Sequence, residues 1–151
     1  MTIYRLGTQV PVIHPEAFVH PDAVVIGDVT IGDRSSVQDG TVIHAGPGFP
    51  TVVGDGCVIG HLAHLEGCTL HDDSLVGSGS VVLHHAVVES GATVGANAVV
   101  PNRMVVPSGS LAVGVPAQIR LGKSNLEIIQ LSAQEYVHNG HRYRQELEAI
   151  G

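Results

Sequence analysis

The chain has 151 residues, a formal charge of −7, 3% aromatic residues, no tryptophan and 19 glycines. An acidic total with no stripe of Lys or Arg excludes the electrostatic footprint of nucleic-acid binding, and no apolar run is long enough to span a bilayer. The opening Met1-Thr2-Ile3-Tyr4-Arg5 has nothing of a signal sequence, so a cytoplasmic protein with a single sizeable core is expected.

From Ile13 onward every sixth residue is branched and apolar: Val19, Val25, Ile31, Val37 and Ile43, then Val53, Ile59 and Leu65. The series slips by one residue after Leu65 and resumes as Leu70, Val76, Val82, Val88, Val94, Val100 and Val106. A period of six fits neither a helix face nor simple strand alternation. It fits a parallel β-helix in which each hexad supplies one short strand and one corner, three hexads close a triangular turn, and turns stack about 4.8 Å apart. The expected fold is therefore all-β over residues 1–122, with branched side chains filling the prism and Gly or small residues at its corners. Cys57 and Cys68 fill slots that hold Ala or Ser elsewhere, which reads as small buried thiols.

Two stretches break the rhythm. Ala45-Gly46-Pro47-Gly48-Phe49-Pro50 cannot continue a ladder, because proline lacks the donor, so residues 45–52 are expected to project as a loop. After Leu121-Gly122 the period disappears, and residues 123–151 read as a helical tail whose cap is the box Ser132-Ala133-Gln134-Glu135. Tyr136, Gly140, Tyr143, Leu147 and Ile150 form a stripe there that is expected to pack on the β-helix wall.

Ten histidines are unusual for this length. His14, His20, His138 and His141 read as solvated imidazoles on the first coil or the tail. For His44, His61 and His64 the hexad register fixes direction. Ile43 and Leu65 stack one turn apart, so His44 and Glu66 are expected side by side on the outer wall, with His64 on the same face. His61 falls near the preceding corner, out of reach of His44 in one chain but open to a neighbouring chain. Two imidazoles and a carboxylate suit a catalytic zinc with an open position, and equally a non-haem iron(II). Surface histidines lining a polar interface between subunits are the alternative at this point.

The run Val37-Gln38-Asp39-Gly40-Thr41-Val42-Ile43-His44, then Ile59-Gly60-His61, then Gly67-Cys68-Thr69-Leu70, resembles the γ-class carbonic anhydrase family. Val106-Pro107-Ser108-Gly109-Ser110-Leu111 and Gly114-Val115-Pro116-Ala117 fit it as well. The resemblance implies a left-handed β-helix, a homotrimer with a divalent metal between subunits, and reversible hydration of carbon dioxide to bicarbonate. It implies His44 and His61 as metal ligands and Gln38 as an active-site residue; a proton shuttle then falls to His64 or His84. The family's third histidine is replaced here by Glu66, with a histidine displaced to His64, so either can be the third ligand. A second departure lies at Ile31-Gly32-Asp33-Arg34-Ser35-Ser36-Val37, where about one coil with its Arg-x-Asp pair is missing. A non-catalytic metal-binding or assembly trimer and a hexapeptide acyltransferase are the competing readings.

Overall fold

The computed structural model describes residues 2–151. Among the described residues nineteen short strands, β1 (Ile3–Tyr4), β2 (Val12–Ile13), β3 (Phe18–Val19), β4 (Val24–Ile26), β5 (Val29–Ile31), β6 (Ser36–Val37), β7 (Val42–His44), β8 (Thr51–Val53), β9 (Val58–Ile59), β10 (His64–Glu66), β11 (Thr69–Leu70), β12 (Leu75–Val76), β13 (Val81–Val82), β14 (Val87–Val88), β15 (Thr93–Val94), β16 (Val99–Val100), β17 (Val105–Val106), β18 (Leu111–Val113) and β19 (Gln118–Arg120), are followed by one helix, α1 (Leu126–Glu146). Strands β1 to β15 each pair in parallel with the strand three further along, and β19 pairs antiparallel with β18, which gives three faces with the orders β1-β4-β7-β10-β13-β16, β2-β5-β8-β11-β14-β17 and β3-β6-β9-β12-β15-β18-β19. The molecule is a left-handed β-helix with one C-terminal helix.

The six-residue period becomes three inward columns. Val25, Ile43, Leu65, Val82 and Val100 are consecutive partners on the first face; Ile13, Ile31, Val53, Leu70, Val88 and Val106 on the second; and Val19, Val37, Ile59, Val76, Val94 and Ala112 on the third. Nearly all are solvent-free, and a fully buried side chain of this kind contributes about 1.5–3 kcal/mol. Small polar residues sit inside the corners because nothing larger fits. Thr41 is fully buried; its hydroxyl donates to Gly60 O at 2.8 Å and accepts from Ala63 N–H at 3.2 Å. The slip after Leu65 is a shortened corner, Glu66-Gly67-Cys68, turned at Gly67 with φ +64°, the left-handed region where glycine carries no Cβ penalty.

The Pro/Gly segment is a tight turn in which Gly46 and Phe49 bridge antiparallel. It ends sooner than expected, since Thr51–Val53 already forms strand β8. Thr51 anchors it: its hydroxyl donates to His44 O at 2.6 Å and accepts from Gly67 N–H at 2.7 Å.

The helix begins roughly two turns before the expected start. Asn125 is its cap, with Oδ1 accepting from Ile128 N–H at 3.2 Å, while Ser132 and Glu135 lie inside it. No Gly or Pro interrupts residues 126–139, so nothing stops the helix from reaching back to the earlier asparagine. The buried residues of α1 are Ile129, Ala133 and Gly140, with Tyr136 and Tyr143 half-buried; Leu147 is the C-cap and Ile150 is exposed, so the expected stripe continues past the helix end where nothing covers it. Helix α1 crosses β3, β6 and β9. This cover buries their outward residues Phe18, Ser36 and Val58. Gly140 permits the approach, because a Cβ there would come within 2.9 Å of Phe18. Asn125→Ala is expected to lower stability by about 1 kcal/mol, read as a shift in the urea midpoint with unchanged slope.

Both cysteines are free and buried. Burial pushes the Cys68 thiol up to about 12 and raises that of Cys57 as well. Neither is expected to react with an aromatic disulfide reagent at neutral pH until the chain is unfolded.

Candidate metal centre

The first face carries the cluster. Strands β7 (Val42–His44) and β10 (His64–Glu66) pair with His64 opposite Val42, Leu65 opposite Ile43 and Glu66 opposite His44. Ile43 and Leu65 point inward, so His44, His64 and Glu66 project from the outer wall. His44 Nε2 lies 3.7 Å from Glu66 Oε2, and His64 Nε2 lies 3.3 Å from the same oxygen. One nitrogen or oxygen from each of these residues falls within 4.8 Å of the others. The ring centroids of His44 and His64 are 5.2 Å apart. His44 Nδ1 sits 3.2 Å from Ala45 O; with the proton on Nδ1 in that bond, Nε2 is a free electron pair facing the carboxylate.

Glu66 uses its other oxygen towards the next coil. His84 Nε2 is 3.0 Å from Glu66 Oε1, close enough for an ion pair but off the line of a hydrogen bond. Contact with the His84 imidazole, then with His64, holds the Glu66 carboxyl below its ordinary value. Phe49 packs behind His84, with ring centroids 5.0 Å apart, and lies 4.4 Å from that of His85. The ring fits because Gly46 and Gly67 have no side chain: a Cβ on either would overlap it. Nothing in the sequence marked Phe49 as a wall of this cleft, since the shape of a six-residue turn is not set by the period.

His61 occupies the corner between β9 (Val58–Ile59) and β10, outside the cluster. It is fixed by Asp39, whose Oδ1 is 2.5 Å from His61 Nδ1. That hydrogen bond holds the Asp39 carboxyl below its usual range. The pairing is legible by counting: Val37 stacks on Ile59, so Gln38 meets Gly60 and Asp39 meets His61. Gln38 is 3% exposed, and its Nε2 has no partner among the described residues. The expected residues thus fall into two groups. His44, His64, Glu66 and His84 come together on one face, while Gln38 and His61 stand at the adjacent corner.

Coil, columns and wall cluster define a left-handed hexapeptide-repeat protein with a histidine–carboxylate cluster able to take a divalent cation. A family model described as bacterial transferase hexapeptide (six repeats) matches residues 11–45, 50–84 and 67–102. The chain belongs to this hexapeptide-repeat family. It is 32% identical to the Arabidopsis thaliana protein named gamma carbonic anhydrase 2, mitochondrial, over 166 positions covering 91% of this chain and 60% of the plant protein. It is 33% identical to the Escherichia coli K12 carnitine operon protein CaiE, over 90% of this chain and 81% of that protein. Among solved structures, a hexapeptide transferase family protein from Anaplasma phagocytophilum superposes with a TM-score of 0.78 at 30% identity, covering 94% of this chain and 98% of the other. The chain therefore spans 60% of the length of the plant relative. The 166 aligned positions exceed the 151 residues of this chain, so the plant protein has residues with no counterpart here. No helix among the described residues is long and apolar enough to cross a membrane.

Proposed function

We propose that this protein is a metal-dependent hydratase of the γ-carbonic anhydrase type, acting on carbon dioxide and bicarbonate as a homotrimer. The observation that carries the reading is the convergence of His44 and His64 on one oxygen of Glu66. The plant relatives' names point the same way.

The donors fit a divalent cation. Imidazole and carboxylate ligands bind zinc at about 2.0–2.2 Å, which sets neighbouring donors about 3.0–3.6 Å apart; the His64 to Glu66 spacing of 3.3 Å lies in that range, and the His44 to Glu66 spacing of 3.7 Å lies just above it. His44 and Glu66 hold the cation, zinc by preference and iron(II) by the same ligand chemistry. When bound, a divalent cation lowers the pKa of water towards 7 and so supplies a nucleophile for carbon dioxide at neutral pH. The residues of the chain do the rest. His84, a third exposed and next to Glu66, exchanges protons between the cleft and solvent. The corner bearing Gln38 and His61 faces a neighbouring chain, where the unmet Gln38 donor orients substrate.

The test is carbon dioxide hydration by the zinc-loaded protein in stopped flow, compared with His44→Ala, with solution mass recorded. A rate above background that vanishes in the variant is expected. A loaded trimer with no rate above background would leave the non-catalytic reading, and binding of acetyl-coenzyme A would favour the acyltransferase.

A further inference from the structure

Among the described residues, six non-glycine residues turn a corner in the left-handed region, and five of them, Arg34, Asp73, His85, Asn97 and Arg103, are polar. The sixth is Leu62, at φ +57° and 69% exposed. The neighbouring coils place Gly40, Gly79 and Asn97 at this point of the same corner, residue types that adopt the conformation at little cost. A leucine there carries backbone strain and shows apolar surface to water as well, and strain of this kind persists where function maintains it. Its support within the chain is Gly40, whose bare backbone lies under the Leu62 side chain. The same corner holds two groups that face outward unmet: Gln38 Nε2 is buried without a partner, and the Asp39 contact to His61 Nδ1 leaves His61 Nε2 free.

The first face supplies a surface that Leu62 fits. Its outward residues Val24, Val42, Val81 and Val99 are half-buried and line up on either side of His64. We propose that Leu62 of one chain seats against Val42 and Val81 of the next, as the apolar anchor that brings the corner bearing Gln38 and His61 to a neighbouring metal cluster. The register supports this occupant. His44 and Glu66 stand two residues along from Val42 and His64 on the same paired strands, so a corner that points His61 at the first pair lays Leu62 on the valines beside the second. Corner and wall are different surfaces of one chain, so the contact is head-to-tail and closes into a ring of copies. The inference rests on the homotrimer reading above and adds to it the residue that holds the copies together.

The experiment compares full-length wild type with Leu62→Asn and Leu62→Met, by solution mass over a dilution series and by urea unfolding at its dilute end. Wild type is expected to be trimeric, Leu62→Met to dissociate within about 3-fold of the same concentration, and Leu62→Asn to dissociate at a concentration more than about 10-fold higher. Asparagine already turns this corner at Asn97, so the dissociated Leu62→Asn chain is expected to unfold at the urea midpoint of dissociated wild type or above it. A purely local role, with Leu62 covering Gly40, lowers that midpoint instead and overturns the proposal. Unchanged assembly of Leu62→Asn overturns it too, as does equal loosening in Leu62→Met. A wild type that is monomeric throughout overturns the homotrimer reading along with it. A trimer that loosens in Leu62→Asn but does not hydrate carbon dioxide upholds the anchor and overturns the hydratase function alone.

Discussion

Glu66→Gln is expected to lower zinc affinity by more than about 100-fold and to abolish carbon dioxide hydration while leaving the fold intact. The amide is isosteric, so strand β10 and its pairing with β7 persist. What changes is charge. Glu66 is the only carboxylate in the cluster and stands between three imidazoles, at 3.0, 3.3 and 3.7 Å. Its environment keeps it ionised at neutral pH, since contact with His84 and His64 holds its carboxyl below the ordinary value. A neutral amide oxygen is a far weaker donor to a divalent cation. Elemental analysis after gel filtration, with circular dichroism to verify folding, reads the result; one zinc per chain in the folded variant would remove Glu66 from the ligand set.

Leu65→Ala is expected to cost about 2–5 kcal/mol, a large share of the stability of a domain this size. Leu65 is fully buried between Ile43 and Val82 in the first column, and its neighbours on the strand are His64 and Glu66. The cavity cannot be filled by sliding a strand, because a one-residue slip would turn every side chain of the face around. The urea midpoint measures the loss. A change below about 1 kcal/mol would show that the column relaxes around the gap. The same substitution loosens the backbone beneath His64 and Glu66, so metal affinity is expected to fall with stability.

The coil was legible because a period of six has a single geometric solution, and each column residue marks its own face. The register of His44 against Glu66 followed by counting, and so did the position of His84 beside the shortened corner at Gly67. Asp39 opposite His61 was open to the same count. Other features depend on three-dimensional closure. The start of α1 was missed because Ser132-Ala133-Gln134-Glu135 and Asn125 are both acceptable caps, and what selects Asn125 is an uninterrupted helical run lying against β3, β6 and β9. The place of Phe49 depends on two glycines separated by twenty-one positions, Gly46 and Gly67, meeting under one ring.

The last coil closes in a way that limits end-to-end stacking of one molecule on another. Strand β19 turns back antiparallel on β18, with Leu111 opposite Arg120 and Val113 opposite Gln118. The turn between them covers part of β16: Val99 N–H donates to Gly114 O, and Ala117 N–H donates to Val99 O. On the third face, and over part of the first, a second molecule arriving at this end meets a reversed strand and satisfied backbone groups, and only β17 on the second face keeps a parallel edge. Open filaments require each copy to offer two complementary ends. Here one end is blunted by the chain itself, so coils that stack readily within a molecule have little means of continuing into the next.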